Sequence, residues 1–178
     1  MIMKRLELTG ALPAKQITVL LADDHANFRK SLKLLVELDG DIKVVGGAKN
    51  GLEAVRLNDE LRPEVIVMDF AMPLLNGLQA TQQILETSPT TRILILSAHP
   101  DPEYIKQAVI CGASGYLIKQ SSTNVLAQAI REVFKGNSFF CAPIAKPLRD
   151  ECQKLFGKGE LLKKRTARKP MLDESSPR

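Results

Sequence analysis

The chain has no tryptophan, only two histidines and three cysteines among its 178 residues. Cys111, Cys141 and Cys152 are odd in number and show no CxxC spacing, which argues against a disulfide framework and against a zinc cluster. No apolar stretch approaches 18 residues, and no charged-then-apolar leader ends in a small-residue cleavage site. Neither a membrane span nor a secretory signal is visible, and a cytoplasmic protein is expected. Charge excess is also missing from most of the chain. Of 25 Lys+Arg and 20 Asp+Glu, residues 139–178 hold 10 and 5, leaving 15 of each for residues 1–138. The formal charge of +5 therefore belongs to the tail, and any attraction to an acidic partner or nucleic acid is local to it. Aromatic residues do not interleave the run Lys163-Lys164-Arg165, so base stacking is not expected there.

What the chain does have is 44% apolar residues in a regular rhythm. From Ile17 onward, short apolar runs alternate with longer amphipathic ones, the signature of parallel strands joined by crossover helices. Strands are expected at Ile17–Ala22, Ile42–Gly46, Glu64–Asp69, Arg92–Leu96 and Tyr116–Ile118. Helices are expected over Asn27–Leu38, Asn50–Leu61, Leu78–Thr87, Pro102–Cys111 and Thr123–Phe134. In the second helix Leu52, Val55, Leu57 and Leu61 are expected to lean inward. Pro63 and Pro89 close helices, Pro102 suits a first turn, and Gly136 stops the last helix. The reading is an α/β, flavodoxin-like doubly wound sheet of five parallel strands in the order 2-1-3-4-5. Its domains are an N-terminal extension at 1–16, the sheet domain at 17–138, an amphipathic helical extension at 139–156 and a basic, disordered tail at 157–178. Ile144, Leu148, Leu155 and Phe156 make the apolar stripe of the short C-terminal helix.

Right-handed crossovers bring the carboxyl ends of parallel strands to one edge, so Asp23, Asp24, Asp69, Ser97 and Lys119 should surround one crevice. Three carboxylates within a few ångströms repel one another unless a cation intervenes. Mg²⁺ fits such an oxygen set and is commonly completed by phosphate. Asp69 could then attack phosphorus, with Lys119 offering a point charge and Ser97 a hydroxyl donor to the phosphoryl oxygens.

The stretches LADDHANFR, VVGGAKNGLEAV, VIVMDFAMPLLNGLQA, ILILSAH and GASGYLIKQS make residues 17 to 138 resemble a CheY-like response regulator receiver domain of two-component signalling. The similarity is closest to the receiver of the NarL/FixJ-like subfamily, which normally continues into a helix-turn-helix DNA-binding domain. A chemotaxis member of this family also serves as a standard example of the 2-1-3-4-5 order. The resemblance implies that Asp69 is the phosphoacceptor, Asp24 a direct Mg²⁺ ligand, and Asp23 an acid binding the metal through water. It also implies the Ala71 backbone carbonyl as a third protein oxygen on the metal, Lys119 as the phosphate-pairing lysine, Ser97 as the switch hydroxyl and Tyr116 as the switch aromatic, which would move inward on phosphorylation. Gln120 stands where many receivers have proline. The implied donor is a histidine kinase or phosphotransfer protein, and the expected output is altered binding of a downstream protein or homodimerisation. The 40 residues after Ser138 show no two-helix pattern, so a stand-alone receiver without helix-turn-helix output is expected, with DNA binding only weakly through the basic tail. The protein would not be an enzyme beyond its own phosphorylation and dephosphorylation. An unphosphorylated adaptor working through the tail is the alternative.

Overall fold

The structure is a computed structural model that describes residues 15–140, with the helical backbone alone for 121–124. The chain runs β1 (Ile17–Ala22), α1 (Ala26–Glu37), β2 (Ile42–Ala48), α2 (Gly51–Leu61), β3 (Val65–Asp69), α3 (Gly77–Thr87), β4 (Arg92–Ser97), α4 (Pro102–Ile110), β5 (Gly115–Ile118), α5 (Lys119–Phe134) and β6 (Phe139–Phe140). All neighbouring strands are parallel, in the order β2-β1-β3-β4-β5-β6.

Strand periodicity sorts the core into two layers. Val19, Leu21, Val65, Val67, Leu94, Leu96 and Leu117 face α1 and α5, where Leu32, Val36, Leu126 and Ile130 cover them. Leu20, Ile66, Met68, Ile93, Ile95 and Tyr116 face α2, α3 and α4, meeting Ala54, Ala80, Ile84, Ile105 and Ala108. β3 lies between β1 and β4, and all five of its residues are buried, Asp69 included. A central strand covered by helices on both faces has no solvent side to offer, which is why its sequence is an unbroken apolar run.

Side-chain caps set the helix starts. Asn50 accepts from the Glu53 amide, Asp101 from the Glu103 amide, and Asn76 with Gln79 forms a reciprocal capping box. The buried face of α2 differs from the sequence expectation. Leu52 and Leu61 are 53% and 39% exposed, while Gly51, Ala54 and Asn58 are buried. Small residues let α2 approach closely, and the Asn58 amide donates to the Ser88 hydroxyl at 3.0 Å, so a polar residue occupies a position where apolar spacing pointed to leucines.

The sheet has six strands rather than the expected five. Phe139 and Phe140, expected to open an extension, pair with Gly115 and Tyr116, and the Phe139 amide donates to the Ser114 carbonyl at 3.1 Å. The pairing requires glycine at 115, because a Cβ there would lie 2.3 Å from the Phe139 carbonyl oxygen. Since α5 shares a face with α1, the step β5-α5-β6 has the opposite hand to the other crossovers, the rare arrangement among parallel connections. Nothing in the apolar rhythm foretells it. The fifth helix also begins directly at Lys119 rather than at Thr123. The expected C-terminal helix, basic tail and most of the N-terminal extension lie outside the described residues.

Candidate functional site

The carboxyl edge of the sheet gathers three acids and a lysine from three separate segments. Asp23 and Asp24 follow β1, Asp69 ends β3, and Lys119 follows β5. The site closes over Asp69 through a turn that depends on Gly77. Its amide donates to the Phe70 carbonyl at 3.0 Å, and a Cβ there would stand 2.1 Å from the Asp69 carbonyl oxygen. Within the same turn Leu74 adopts φ +67°, a left-handed conformation unusual for a branched apolar residue, and is 79% exposed. Met72 is buried in the core, and Phe70 stacks on Tyr104 of α4 with ring centroids 4.6 Å apart.

Asp23 and Asp69 are each 2% exposed. The Lys119 ammonium lies between them, 2.8 Å from Asp23 Oδ2 and 2.9 Å from Asp69 Oδ2, and rests over the Phe28 ring at 5.1 Å from its centroid. Asp69 Oδ1 accepts a hydrogen bond from the Ala71 amide at 3.3 Å. Burial pushes the Asp69 carboxyl above the usual carboxylate range despite the opposing pull of Lys119, and the Asp23 charge adds to the rise. For Lys119, burial works against the charged form, yet hydrogen bonds to Asp23 and Asp69 prevail and raise it.

Ligand atoms of Asp23, Asp24, His25 and Asp69 all lie within 4.8 Å of one another. Three carboxylates against the Lys119 ammonium and the Arg29 guanidinium on the Asp23 carbonyl leave the cluster with net negative charge. That imbalance, with two of the acids buried, matches a divalent cation held by oxygen ligands. The donor set can therefore hold a metal ion.

Two of the expected residues hold the loop after β4. The Ser97 hydroxyl accepts from the His99 amide at 3.1 Å and donates to the His99 carbonyl at 3.3 Å, so it is engaged by the loop after β4. Tyr116 is 1% exposed, in the core cluster with Ile95 and Ile105, and its hydroxyl donates to the same His99 carbonyl at 2.9 Å. Sequence reasoning placed His25 at a helix start and Phe28 on the apolar face of that helix without giving either a role at the site, and did not single out Arg29. His25 caps α1, its amide donating to Asp23 Oδ1 at 2.7 Å, and the Arg29 guanidinium donates to the Asp23 carbonyl. Their signal was position: all three lie within six residues of Asp23 on the first turn of α1, whose start faces the crevice.

Comparison with known proteins settles the family. A family model described as the response regulator receiver domain matches residues 19–131. The chain belongs to that family. The receiver is 39% identical over 132 residues to the transcriptional regulatory protein YdfI of Bacillus subtilis (strain 168), covering 74% of this chain and 62% of that protein. It is 32% identical over 145 residues to the transcriptional regulatory protein DegU of Brevibacillus brevis, covering 82% and 61%. Among solved structures it resembles a LuxR-family two-component response regulator from Aurantimonas sp. SI85-9A1, at 33% identity and a TM-score of 0.73, over 77% of this chain and 98% of that one. The chain spans about three fifths of the length of the curated relatives it matches. As a receiver of two-component signalling it is a signalling protein, of the type found in NarL- and DegU-like regulators. Among the described residues no helix is long and apolar enough to cross a membrane.

Proposed function

We propose that this receiver accepts a phosphoryl group on Asp69 from a histidine kinase or phosphotransfer protein in the cytoplasm, with Mg²⁺ as cofactor. The observation that carries the reading is Lys119 bridging two buried carboxylates from different strands beside a third. An Asp69 carboxylate oxygen attacks phosphorus, the P–N bond of a phosphohistidine breaks, and the imidazole leaves with the bonding pair. Asp23, Asp24, Asp69 and the Ala71 carbonyl would hold the magnesium ion, and the chemistry expected of it is neutralisation of phosphoryl oxygen charge. Burial disfavours negative charge at Asp69, and the acyl phosphate carries more of it than the carboxylate, so the site relies on Lys119 and the metal to offset the added charge. Lys119 shifts its charge from Asp69 toward the new phosphoryl oxygens while keeping Asp23.

Output follows from the loop after β4. Ser97 and Tyr116 both hold His99, so recruiting the Ser97 hydroxyl to a phosphoryl oxygen would release that loop and the Tyr116 hydroxyl together. The surface that changes is α4, β5 and α5, and its readout is binding of a downstream protein or self-association. Residues 17–138 are the signalling unit in this reading. Incubation of the full chain with acetyl phosphate and Mg²⁺ should add the mass of one phosphoryl group. No gain, or a gain that survives Asp69→Ala, would overturn the proposal.

A further inference from the structure

We propose that the cavity between α1 and β2 is a binding site for a small amphipathic anion, a carboxylate or phosphate monoester carried on an apolar body. The cavity measures about 290 Å³, at the lower end of the range of about 300–1,000 Å³ in which small-molecule sites fall. Leu21 and Val44 give it an apolar floor, and Arg29, Lys30 and Lys33 of α1 give it three cations. It is separate from the acidic crevice, because neither of the carboxylates that bracket Lys119 lines it. Its volume suits one ring or a short chain bearing a charged group rather than a macromolecular surface.

Two adjacent glycines of β2 explain why the space exists. A Cβ on Gly46 would come within 2.7 Å of the Leu61 side chain, so packing against α2 demands glycine there. The nearest atoms to a Cβ on Gly47 would be Arg29 Nε at 3.5 Å, Arg29 Cδ at 3.8 Å and the Leu21 carbonyl oxygen at 3.9 Å, all ordinary contacts in a strand backbone open to any residue. Neither packing nor backbone asks for glycine at 47, and its missing side chain is what keeps the cavity open beneath Arg29. The cations are also uncommitted. Glu37, one helical turn from Lys33, gives its carboxylate to the Val44 amide at 2.9 Å, and Asp39 and Asp41 are held by Arg131. Among the described residues Lys30 and Lys33 meet no carboxylate. Arg29 is anchored by donating from Nη1 to the Asp23 carbonyl, which leaves Nε, the atom next to Gly47, to a ligand. A guanidinium positioned in advance above an apolar floor, with two exposed lysines beside it, matches an anionic head and an apolar body in one molecule.

The test needs neither Mg²⁺ nor a phosphodonor, so its outcome is independent of chemistry at Asp69. The ¹⁵N-labelled full chain is titrated by nuclear magnetic resonance with phenyl phosphate and, separately, with benzoate, which distinguishes the two head groups. At least one probe should give saturable shifts at the Lys30, Lys33 and Gly47 amides, with a Kd about tenfold or more below that of inorganic phosphate, which lacks the apolar body. Benzyl alcohol, which lacks the charge, should give none. Gly47→Leu places a side chain in the cavity at a position whose backbone accepts one, and should abolish the shifts. Lys30→Ala combined with Lys33→Ala, two exposed substitutions, should weaken binding by about tenfold or more. The absence of a saturable shift with both probes would overturn the proposal. So would shifts that persist unchanged in either variant, or inorganic phosphate binding as tightly as the better probe, since each would mark the lysines as a nonspecific charged surface.

Discussion

The two edges of the sheet each carry a charged cluster, and they are built on opposite principles. At the amino edge, the Arg131 guanidinium grips Asp41 through two 2.7 Å contacts and Asp39 through one of 2.6 Å. The Arg131 hydrogen bond holds the Asp41 carboxyl below its ordinary value, and the two acids raise Arg131 in return. At the carboxyl edge, one ammonium serves two buried acids with a third beside them, and burial holds Asp69 above its ordinary value. The first cluster is satisfied as it stands and fastens α5 to the start of β2. The second is left with surplus negative charge, the condition of a site that stabilises fully only when a ligand arrives. Charge clustering alone does not distinguish the two edges; at Asp41 the arginine prevails, whereas at Asp69 burial prevails over the lysine.

Ligand addition should expose the largest difference between the edges. At a hundredfold excess over its dissociation constant, Mg²⁺ should raise unfolding free energy by about 2.7 kcal/mol in urea titrations, and Asp23→Asn or Asp69→Asn should remove most of that gain. Variants at Arg131 should respond to Mg²⁺ as the unaltered protein does. If Mg²⁺ gave no shift, the carboxyl-edge cluster would be structural like its counterpart.

Without metal at pH 7, Asp69→Asn should stabilise the fold by on the order of 1 kcal/mol, since it removes a charge that burial disfavours and leaves Lys119 its partner Asp23. The pH dependence supplies the sign. A raised folded value means the native state binds the proton more tightly, so acidification toward and below that value relieves the penalty and the advantage of the variant should shrink. Asp41 behaves oppositely. Its folded value is depressed, so its contribution is present above the unfolded value of 3.8 and is lost as pH falls through the lower folded value. Urea midpoints of Asp69→Asn and Asp41→Asn between neutral and acid pH would show whether the two edges diverge in this way.

Arg131→Ala should cost about 1 kcal/mol at neutral pH, because the pairs are partly exposed and screened, and should leave phosphoryl incorporation unchanged. The smallest effect concerns β6. Gly115→Ala should speed amide exchange at Phe139 several-fold while lowering global stability by about 1 kcal/mol or less, if the Phe139 carbonyl is what excludes a side chain there.

Much of this molecule could be read before any coordinates. Val65-Ile66-Val67-Met68 is apolar at every position because both its faces are covered, and that alone nominated β3 as central and Asp69 as its mouth. The convergence of Asp23, Asp24, Asp69 and Lys119 followed from the hand of the crossovers, a rule with few exceptions. What stayed hidden has identifiable causes. Leu52 and Leu61 satisfied helical spacing, yet Asn58 and Ala54 took the interior because close helix approach and a partner in Ser88 outweighed hydrophobicity. β6 escaped notice because two residues have no period and its crossover runs against the usual hand.

Local chemistry and periodicity along the chain thus determined the parallel sheet and the edge where the acids meet, while the order of the first five strands came with the family resemblance. Only the tertiary structure decided which oxygen of Asp23 faces Lys119 and which faces His25, and that the Tyr116 and Ser97 hydroxyls both bond His99. The physical reason is one of scale. Apolar burial is summed over many residues and tolerates small errors of position, so its pattern survives in sequence. Hydrogen bonds and ion pairs change within a fraction of an ångström, and that precision exists only once the layers have packed.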